Sequence, residues 1–268
     1  MDISGKVFVV TGGGNGIARE LVLQLLAKGA TVAAVDLSAD GLKETAKLAG
    51  NNAKLSTHAI NITDRAKVLA LPKAVITKHG QVDALINVAG IIQPFVRVND
   101  LEFDAIERVI NVNLYGTINT VKAFLPELLK RPEGYIANVS SMGGYASVPG
   151  QTIYGATKAA VKLLTEGLHS ELKGTNVHVT AIYPGAISTH IAENSGMAMP
   201  AGGADSAEAS SFKMTTPVVA ASTIIGAIEK NAYKVFIGSD AKTMDKLTRL
   251  MPEKAAELIY KQMKSLLG

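Results

Sequence analysis

The chain contains no cysteine and no tryptophan, and only 5% of its 268 residues are aromatic. Without cysteine, a disulfide framework and thiolate chemistry are both excluded. The five histidines show no metal-ligand spacing, so we expect no metal site. No apolar run is long enough to span a bilayer, and the first residues lack the regions of a signal peptide. We therefore expect no integral membrane segment and a cytoplasmic location.

The chain also lacks a large excess of charge of either sign. The 27 Lys and Arg residues nearly balance the 23 Asp and Glu residues, and the net charge of +4 is spread along the sequence. Nucleic acid is therefore not an expected partner. Hydrophobic residues are abundant, at 47%, which is enough for one sizeable core. We expect a single domain over residues 1–268.

Short β-branched runs alternate with helix-period segments over the first 185 residues. This alternation predicts an α/β fold, a doubly wound parallel seven-stranded sheet of the Rossmann type with helices on both faces. The predicted strands are Val7–Val10, Thr31–Val35, Lys54–Ile60, Ala84–Ile86, Tyr135–Val139, Val177–Ile182 and Val235–Ile237.

The periodicity fails over about residues 187–216, which predicts a loop or lid over the substrate. Thr216 and Pro217 are expected to begin the next helix as N-cap and first residue. A helical extension is expected over about 239–268, with a final helix beginning at Pro252. Its apolar stripe, formed by Ala255, Ile259, Met263 and Leu266, would pack on its own subunit or on a neighbour. The rival interpretation is adhesion to a membrane surface.

A glycine-rich turn, Thr11-Gly12-Gly13-Gly14-Asn15-Gly16, follows the first strand and precedes a helix. Glycine permits the tight turn and lets the backbone approach a pyrophosphate, whose charge the helix N-terminus stabilises. Asp36 ends the second strand, twenty residues beyond Gly16. The turn and the acid together predict a dinucleotide site.

Asp36 also bears on which dinucleotide binds. A carboxylate there can accept hydrogen bonds from both hydroxyls of the adenosine ribose and would repel the extra phosphate of NADP. The alternative is a solvated turn residue with no ligand. Arg19 is the nearest base, inside the helix, and leaves NADP open. The sequence favours NAD.

Tyr154 and Lys158 lie four residues apart, so a helix would place them on one face. Ser141 follows the predicted strand Tyr135–Val139, at the edge of the sheet where ligands bind. A tyrosine that exchanges protons near neutrality needs its pKa lowered by about three units, roughly 4 kcal/mol. One positive charge at about 4 Å supplies that much at an effective dielectric of 20, and the oxidised nicotinamide adds a second positive charge. We therefore predict an acid/base tyrosine next to an activating lysine.

These motifs resemble the short-chain dehydrogenase/reductase family over about residues 5–240. The resemblance also covers Asn87-Val88-Ala89-Gly90, Asn113, and Pro184-Gly185-Ala186-Ile187-Ser188-Thr189. It implies that Tyr154 is the acid/base, that Ser141 binds the reacting oxygen, that Lys158 holds the nicotinamide ribose, and that Asn113 anchors a proton relay. It also suggests a homo-oligomer, a tetramer or a dimer.

The spacing and the resemblance together predict the residues that hold the cofactor. They are Gly12, Gly14, Asn15, Gly16, Ile17, Asp36, Leu37, Asn61, Ile62, Asn87, Ala89, Gly90, Tyr154, Lys158, Pro184, Gly185, Ile187 and Thr189.

Three positions depart from the family pattern: Ala18 replaces a glycine, Asn61 an aspartate and Val88 an asparagine. The Asn61 amide keeps an acceptor for the adenine amino group. The resulting hypothesis is an NAD-linked oxidoreductase that acts on a small molecule, a secondary alcohol or ketone. If the Met-rich segment 187–216 lines the pocket, the substrate is expected to be lipophilic. The other interpretation is that this segment only packs on itself. The alternative is an NAD-sensing binding protein of the same fold without turnover.

Overall fold

Seven parallel strands form one sheet in the order β3-β2-β1-β4-β5-β6-β7. The computed structural model describes residues 1–189, 191–195 and 214–267. The strands are β1 Val7–Thr11, β2 Thr31–Asp36, β3 Leu55–Ala59, β4 Ala84–Asn87, β5 Gly134–Val139, β6 Val177–Pro184 and β7 Lys234–Ile237. The predicted fold class is confirmed, with strand ends that differ from the predicted ones by one or two residues.

Ten α-helices lie in the described ranges: α1 Gly16–Ala27, α2 Ala39–Leu48, α3 Arg65–His79, α4 Phe103–Ile110, α5 Gly116–Leu128, α6 Thr152–Glu171, α7 Ile191–Asn194, α8 Pro217–Glu229, α9 Ser239–Leu250 and α10 Pro252–Met263. A π-helical turn, Asn111–Tyr115, joins α4 to α5, and 3-10 turns span Val98–Asp100, Met142–Gly144 and Lys264–Leu267. Thr216 caps α8 as expected, because its side chain accepts from Val219 N. In those same ranges, no helix is both long and apolar enough to cross a membrane.

The sheet is buried by a separate apolar cluster on each face. One cluster joins α1 and α8 to the sheet, and the other joins α3 and α5. Because chain order reverses between β1 and β4, the crossover helices diverge there and leave a crevice at the carboxyl ends of the strands. That crevice is where the predicted site residues are expected to meet.

The C-terminal extension packs on its own chain. Helix α10 lies against α9 and buries Ala255 and Ile259, two residues of the predicted stripe. Met263 is half-buried, whereas the side chain of Leu266 lies outside the described residues. Leu267 reaches back to Gly150, where its Cδ2 lies 3.2 Å from the position a β-carbon would take. The tail therefore ends beside the segment that leads into α6.

The predicted lid is described only in part. Ile191–Asn194 form the short helix α7, and Ser195 Oγ accepts a hydrogen bond from Ile92 N at 3.0 Å. The remainder of the segment, residue 190 and residues 196–213, lies outside the described residues, and with it most of the methionines predicted to face substrate.

Candidate active site

A cleft of about 350 Å³ lies at the carboxyl ends of β1, β4, β5 and β6. This volume is within the usual range for small-molecule sites. The predicted residues that line it are Gly12, Asn15, Gly16, Ile17, Asp36, Leu37, Asn61, Ile62, Ala89, Gly90, Ser141, Tyr154, Lys158, Pro184, Gly185, Ile187 and Thr189. Segments that are far apart in the sequence thus meet in one crevice, at the switch point of the sheet.

The glycine-rich turn fits a pyrophosphate. Gly12 and Gly16 have φ angles of +80° and +53°, which side chains rarely allow. A β-carbon at Gly12 would lie 3.1 Å from the Ala89 backbone, so the turn packs directly on the segment after β4. The turn leads into the N-terminus of α1, whose free N–H groups suit an anion. The residues present therefore suit a dinucleotide.

Asp36 is held in place by backbone donors at the end of β2. Its carboxylate accepts from Gly14 N at 2.9 Å and from Ser38 N at 2.8 Å. The side chain of Arg19 lies close by but turns to the protein: it donates to the carbonyl oxygens of Gly14 and Gly41. The carboxylate, and not the guanidinium, lines the cleft at this end.

Asn61 also lines the cleft, but its amide oxygen is already in use. It accepts from Thr63 N at 3.0 Å and from Thr63 Oγ1 at 2.9 Å. An amide oxygen has two lone pairs, so both are taken. The adenine contact predicted for this oxygen would require one of these bonds to be exchanged.

The third and seventh residues of α6, Tyr154 and Lys158, meet at the other end of the cleft. The Lys158 ammonium lies 5.8 Å from the centre of the Tyr154 ring and donates to Val139 O at 3.1 Å. Ser141 enters from the end of β5, and its Oγ accepts from Gly143 N at 3.0 Å. Three of the four predicted catalytic side chains therefore line one end of the cleft, and Asn113 does not.

Burial controls the electrostatics at this end. It raises the pKa of Tyr154, and a hydrogen bond with Ser141 offsets only part of that rise. Desolvation lowers the pKa of Lys158 to about 8. The lowered tyrosine pKa expected from the sequence is therefore not produced by the chain alone, because burial opposes the charged forms of both side chains.

Two glycines, Gly90 and Gly155, leave space for these side chains. A β-carbon at Gly90 would lie 3.1 Å from Lys158 Nζ and 3.2 Å from Asn113 Oδ1, so a side chain there would crowd the lysine. At Gly155, a β-carbon would lie 2.9 Å from Gly143 O. This glycine lets the turn after Ser141 rest directly on α6.

Three predicted residues do not line the cleft. Asn113, in the π-helical turn, bonds both backbone groups of Ile91 and also reaches Thr157 Oγ1. Asn87 is buried behind the wall, where it donates to Asn138 Oδ1 and accepts from Thr120 Oγ1; Gly14 underlies Asp36. The side chains of Asn87 and Asn113 join elements of the fold and do not face the crevice.

Residues 184–189 form another part of the wall, and Thr189 Cγ2 lies 3.6 Å from the position that a β-carbon of Gly16 would take. Asp240 Oδ2 accepts from Ala186 N at 2.7 Å, and a side chain at Gly185 would collide with this carboxylate. Ser188 N donates to Thr215 O at 3.0 Å. This wall is therefore fixed by the C-terminal extension and by the segment before α8, two contacts that the sequence analysis missed.

The sequence analysis also missed a set of apolar wall residues: Val35, Ile60, Ile91, Val112 and Val139. Val35, Ile60 and Val139 lie at strand ends, Ile91 in the loop after β4 and Val112 in the π-helical turn. An apolar residue in such a segment predicts burial but not whether it faces the cleft. Gln93, two residues beyond Ile91, was missed as well; it lies behind the wall and bonds the start of α6.

Comparisons with known proteins agree with this architecture. Residues 6–199 match the family described as short chain dehydrogenase. The chain is 38% identical to the protein SadH of Mycobacterium tuberculosis over 263 residues, which cover 95% of this chain and 94% of SadH. A crystal structure of a short chain dehydrogenase from Burkholderia cenocepacia in complex with NADP has a TM-score of 0.80 and 26% identity, covering 97% of this chain and 99% of that one. A short chain dehydrogenase/reductase from Burkholderia phymatum in complex with NAD shows the same fold, with a TM-score of 0.82, 24% identity and coverage of 93% and 96%.

Proposed function

Since the chain belongs to the short-chain dehydrogenase family, a family of oxidoreductases, we propose that it transfers a hydride between NAD and a secondary alcohol or its ketone. One observation carries the proposal. Tyr154, Lys158 and Ser141 line the same cleft as the glycine-rich turn, so a dinucleotide held by that turn would end beside a phenol and an ammonium. Cofactor, proton donor and substrate oxygen would then share one site.

When bound, the nicotinamide ring accepts or gives the hydride. During oxidation the Tyr154 phenolate takes the proton of the substrate hydroxyl, and Ser141 Oγ orients that oxygen. During reduction the phenol returns the proton. Lys158 Nζ, buried and facing Gly90, would bind the ribose hydroxyls next to the ring.

The electrostatics support a cofactor-dependent acid/base. In the chain alone, burial keeps the phenol protonated. A positive charge beside it favours the phenolate, and both the protonated Lys158 and the oxidised nicotinamide supply one. The tyrosine is therefore activated for oxidation when the oxidised cofactor is present.

The preference for NAD rests on the geometry at Asp36. Its carboxylate lines the cleft, where it would meet the ribose hydroxyls and repel a ribose phosphate. Arg19, the one base that left NADP open, is held by the carbonyl oxygens of Gly14 and Gly41. Relatives of this fold bind either cofactor, so this carboxylate carries the choice.

The proposed substrate class is supported by apolar residues of the cleft wall, Ile92 and Ile191 among them. Apolar walls suit lipophilic alcohols and ketones, because burying the carbon skeleton contributes about 0.8 kcal/mol per methylene. Polar secondary alcohols of the same size are expected to have a higher KM.

The test compares Tyr154→Phe with Tyr260→Phe, which alters an exposed tyrosine on α10. NAD reduction is followed spectroscopically over a panel of lipophilic and polar secondary alcohols, and NAD binding by titration calorimetry. Tyr154→Phe should bind NAD but lose turnover by about 10²- to 10⁴-fold, whereas the control should match the parent. Turnover of Tyr154→Phe near the parental rate would refute the acid/base role. A parent chain that binds NAD but turns over no member of the panel would favour the sensing alternative.

A further inference from the structure

Gln93 bonds the start of the helix that carries the reacting tyrosine. Its Oε1 accepts from Ile153 N at 2.8 Å and from Tyr154 N at 2.9 Å, across about sixty residues of sequence. The side chain is completely buried. The first N–H groups of a helix have no partner within the helix, and they usually bond to a side chain just before it.

Here the local cap is absent. Gln151 stands at the N-cap of α6, and its side chain makes no capping hydrogen bond. Its Nε2 donates instead to Gln93 O at 2.7 Å. Gln151 therefore holds the main chain of Gln93, and the side-chain oxygen of Gln93 accepts the two helix N–H groups. We call this pair of glutamines the clasp.

The base of this clasp is itself fixed. Two residues before Gln93, Ile91 N donates to Asn113 Oδ1 and Ile91 O accepts from Asn113 Nδ2, both at 2.9 Å. The loop after β4 is therefore bonded to the π-helical turn on one side and to α6 on the other. Because Tyr154 is one of the two residues bonded, the clasp sets where its backbone lies relative to the cleft.

We propose that Gln93 is a positioning residue that fixes Tyr154 for proton transfer. This inference rests on the proposed function. Gln93 is absent from the cleft lining and acts through the helix rather than on substrate. A misplacement of about 1 Å in a reacting group costs on the order of a hundredfold in rate, so a change in this clasp should lower kcat more than it changes KM.

The first test is Gln93→Met, which keeps the length of the side chain and removes the acceptor. We expect kcat to fall about ten- to a hundredfold, while the Kd for NAD and the KM for the alcohol change by less than about threefold. Gln262→Met, on an exposed stretch of α10, is the matched control and should behave as the parent.

The second test is Gln93→Glu, which keeps an acceptor for the two N–H groups and replaces only the side-chain amide. We expect kcat to recover to within about threefold of the parent, because the start of α6 keeps its hydrogen-bond partner. A residue that only fills space would be replaced equally well by Met and by Glu, so recovery in Gln93→Glu alone would identify the acceptor.

The inference fails if Gln93→Met keeps more than half of the parental kcat while Tyr154→Phe is inactive. It also fails if Gln93→Glu, folded and able to bind NAD, loses more than about tenfold in kcat, and this second result decides the matter if Gln93→Met does not fold. Activity in Tyr154→Phe would instead refute the proposed function, so the two failures are distinguishable.

Discussion

The two ends of the cleft differ in how they stabilise charged side chains. At the end near β2, Asp36 accepts two backbone N–H groups, and Arg19 donates to backbone carbonyl oxygens. At the end near β5, burial lowers the pKa of Lys158 to about 8 and raises that of Tyr154. The first end is organised by the protein's own hydrogen bonds. The second holds groups whose charged forms are costly until a ligand arrives, which is typical of reacting sites.

Lys158→Met should break this contrast most strongly. Removing the ammonium should lower kcat about a thousandfold, because the phenolate loses its neighbouring charge. The unliganded variant should also be more stable at neutral pH, on the order of 2 kcal/mol, because a buried charge with a depressed pKa has been removed. Chemical denaturation measures the stability; a variant that is less stable than the parent would contradict this account of burial.

The sign of the pH effect follows from the same lysine. Its pKa is 10.5 by default and about 8 when folded, so between these values the unfolded chain keeps a proton that the folded chain has released. Unfolding then takes up protons, and the stability of the parent should rise with pH in that window. Lys158→Met should lack this rise, which denaturation at several pH values can show.

Asp36→Asn tests the other end of the cleft. The amide keeps an acceptor for one backbone N–H but removes the charge, so discrimination between NAD and NADP, measured as the ratio of kcat/KM, should fall about a hundredfold. Asp40→Asn, a change of the same net charge at an exposed position on α2, should leave the ratio unchanged. Equal effects of the two variants would mean that long-range charge alone governs the ratio.

Gly155→Ala should disturb only the end of the cleft that holds Tyr154 and Ser141. Its β-carbon would meet Gly143 O at 2.9 Å and push the turn after Ser141 off α6, so kcat should fall about tenfold with little change in NAD affinity. Gly167→Ala, on the same helix with open space around it, should stabilise the protein by about 1 kcal/mol. An equal loss of activity in Gly167→Ala would mean that the effect of Gly155→Ala does not come from the contact with Gly143 O.

The smallest effect is that of pH on the parent enzyme. Oxidation needs the phenolate, and burial raises the pKa of Tyr154, so kcat/KM for alcohol oxidation should increase with pH by several-fold per unit above neutrality. Reduction should show the opposite trend. A flat profile for oxidation in steady-state measurements would place the proton transfer elsewhere.

Much of the fold and of the cleft could be predicted from the sequence, because short-range patterns determine them. The glycine-rich turn at residues 12–16 is recognised from the strand before it and the helix after it. The four-residue spacing of Tyr154 and Lys158 places both on one face of a single helix. The lowered tyrosine pKa, predicted for a site with a lysine and an oxidised nicotinamide, stays a prediction; in the chain alone burial raises that pKa, and burial depends on the packing of the whole cleft.

Contacts between distant segments could not be predicted. Nothing near Gln93 in the sequence indicates that it bonds the start of α6, and nothing near Asp240 indicates that it fixes Ala186. Asn87 was expected to hold the cofactor, yet it lies behind the cleft wall between Asn138 and Thr120. A polar residue at a strand end carries the same signal whether it faces the crevice or the neighbouring strand.

The order of the strands has a consequence for biosynthesis. Strand β1 pairs with β4, where Phe8 lies opposite Ala84, so the centre of the sheet cannot close until the residues of β4 have left the ribosome. At about 5–20 residues per second, several seconds separate the two strands during translation. Meanwhile β1 has only β2 as a partner, and its inner edge stays open to incorrect pairing. Recovery of soluble protein should therefore depend on translation rate and on chaperones that cover exposed strand edges.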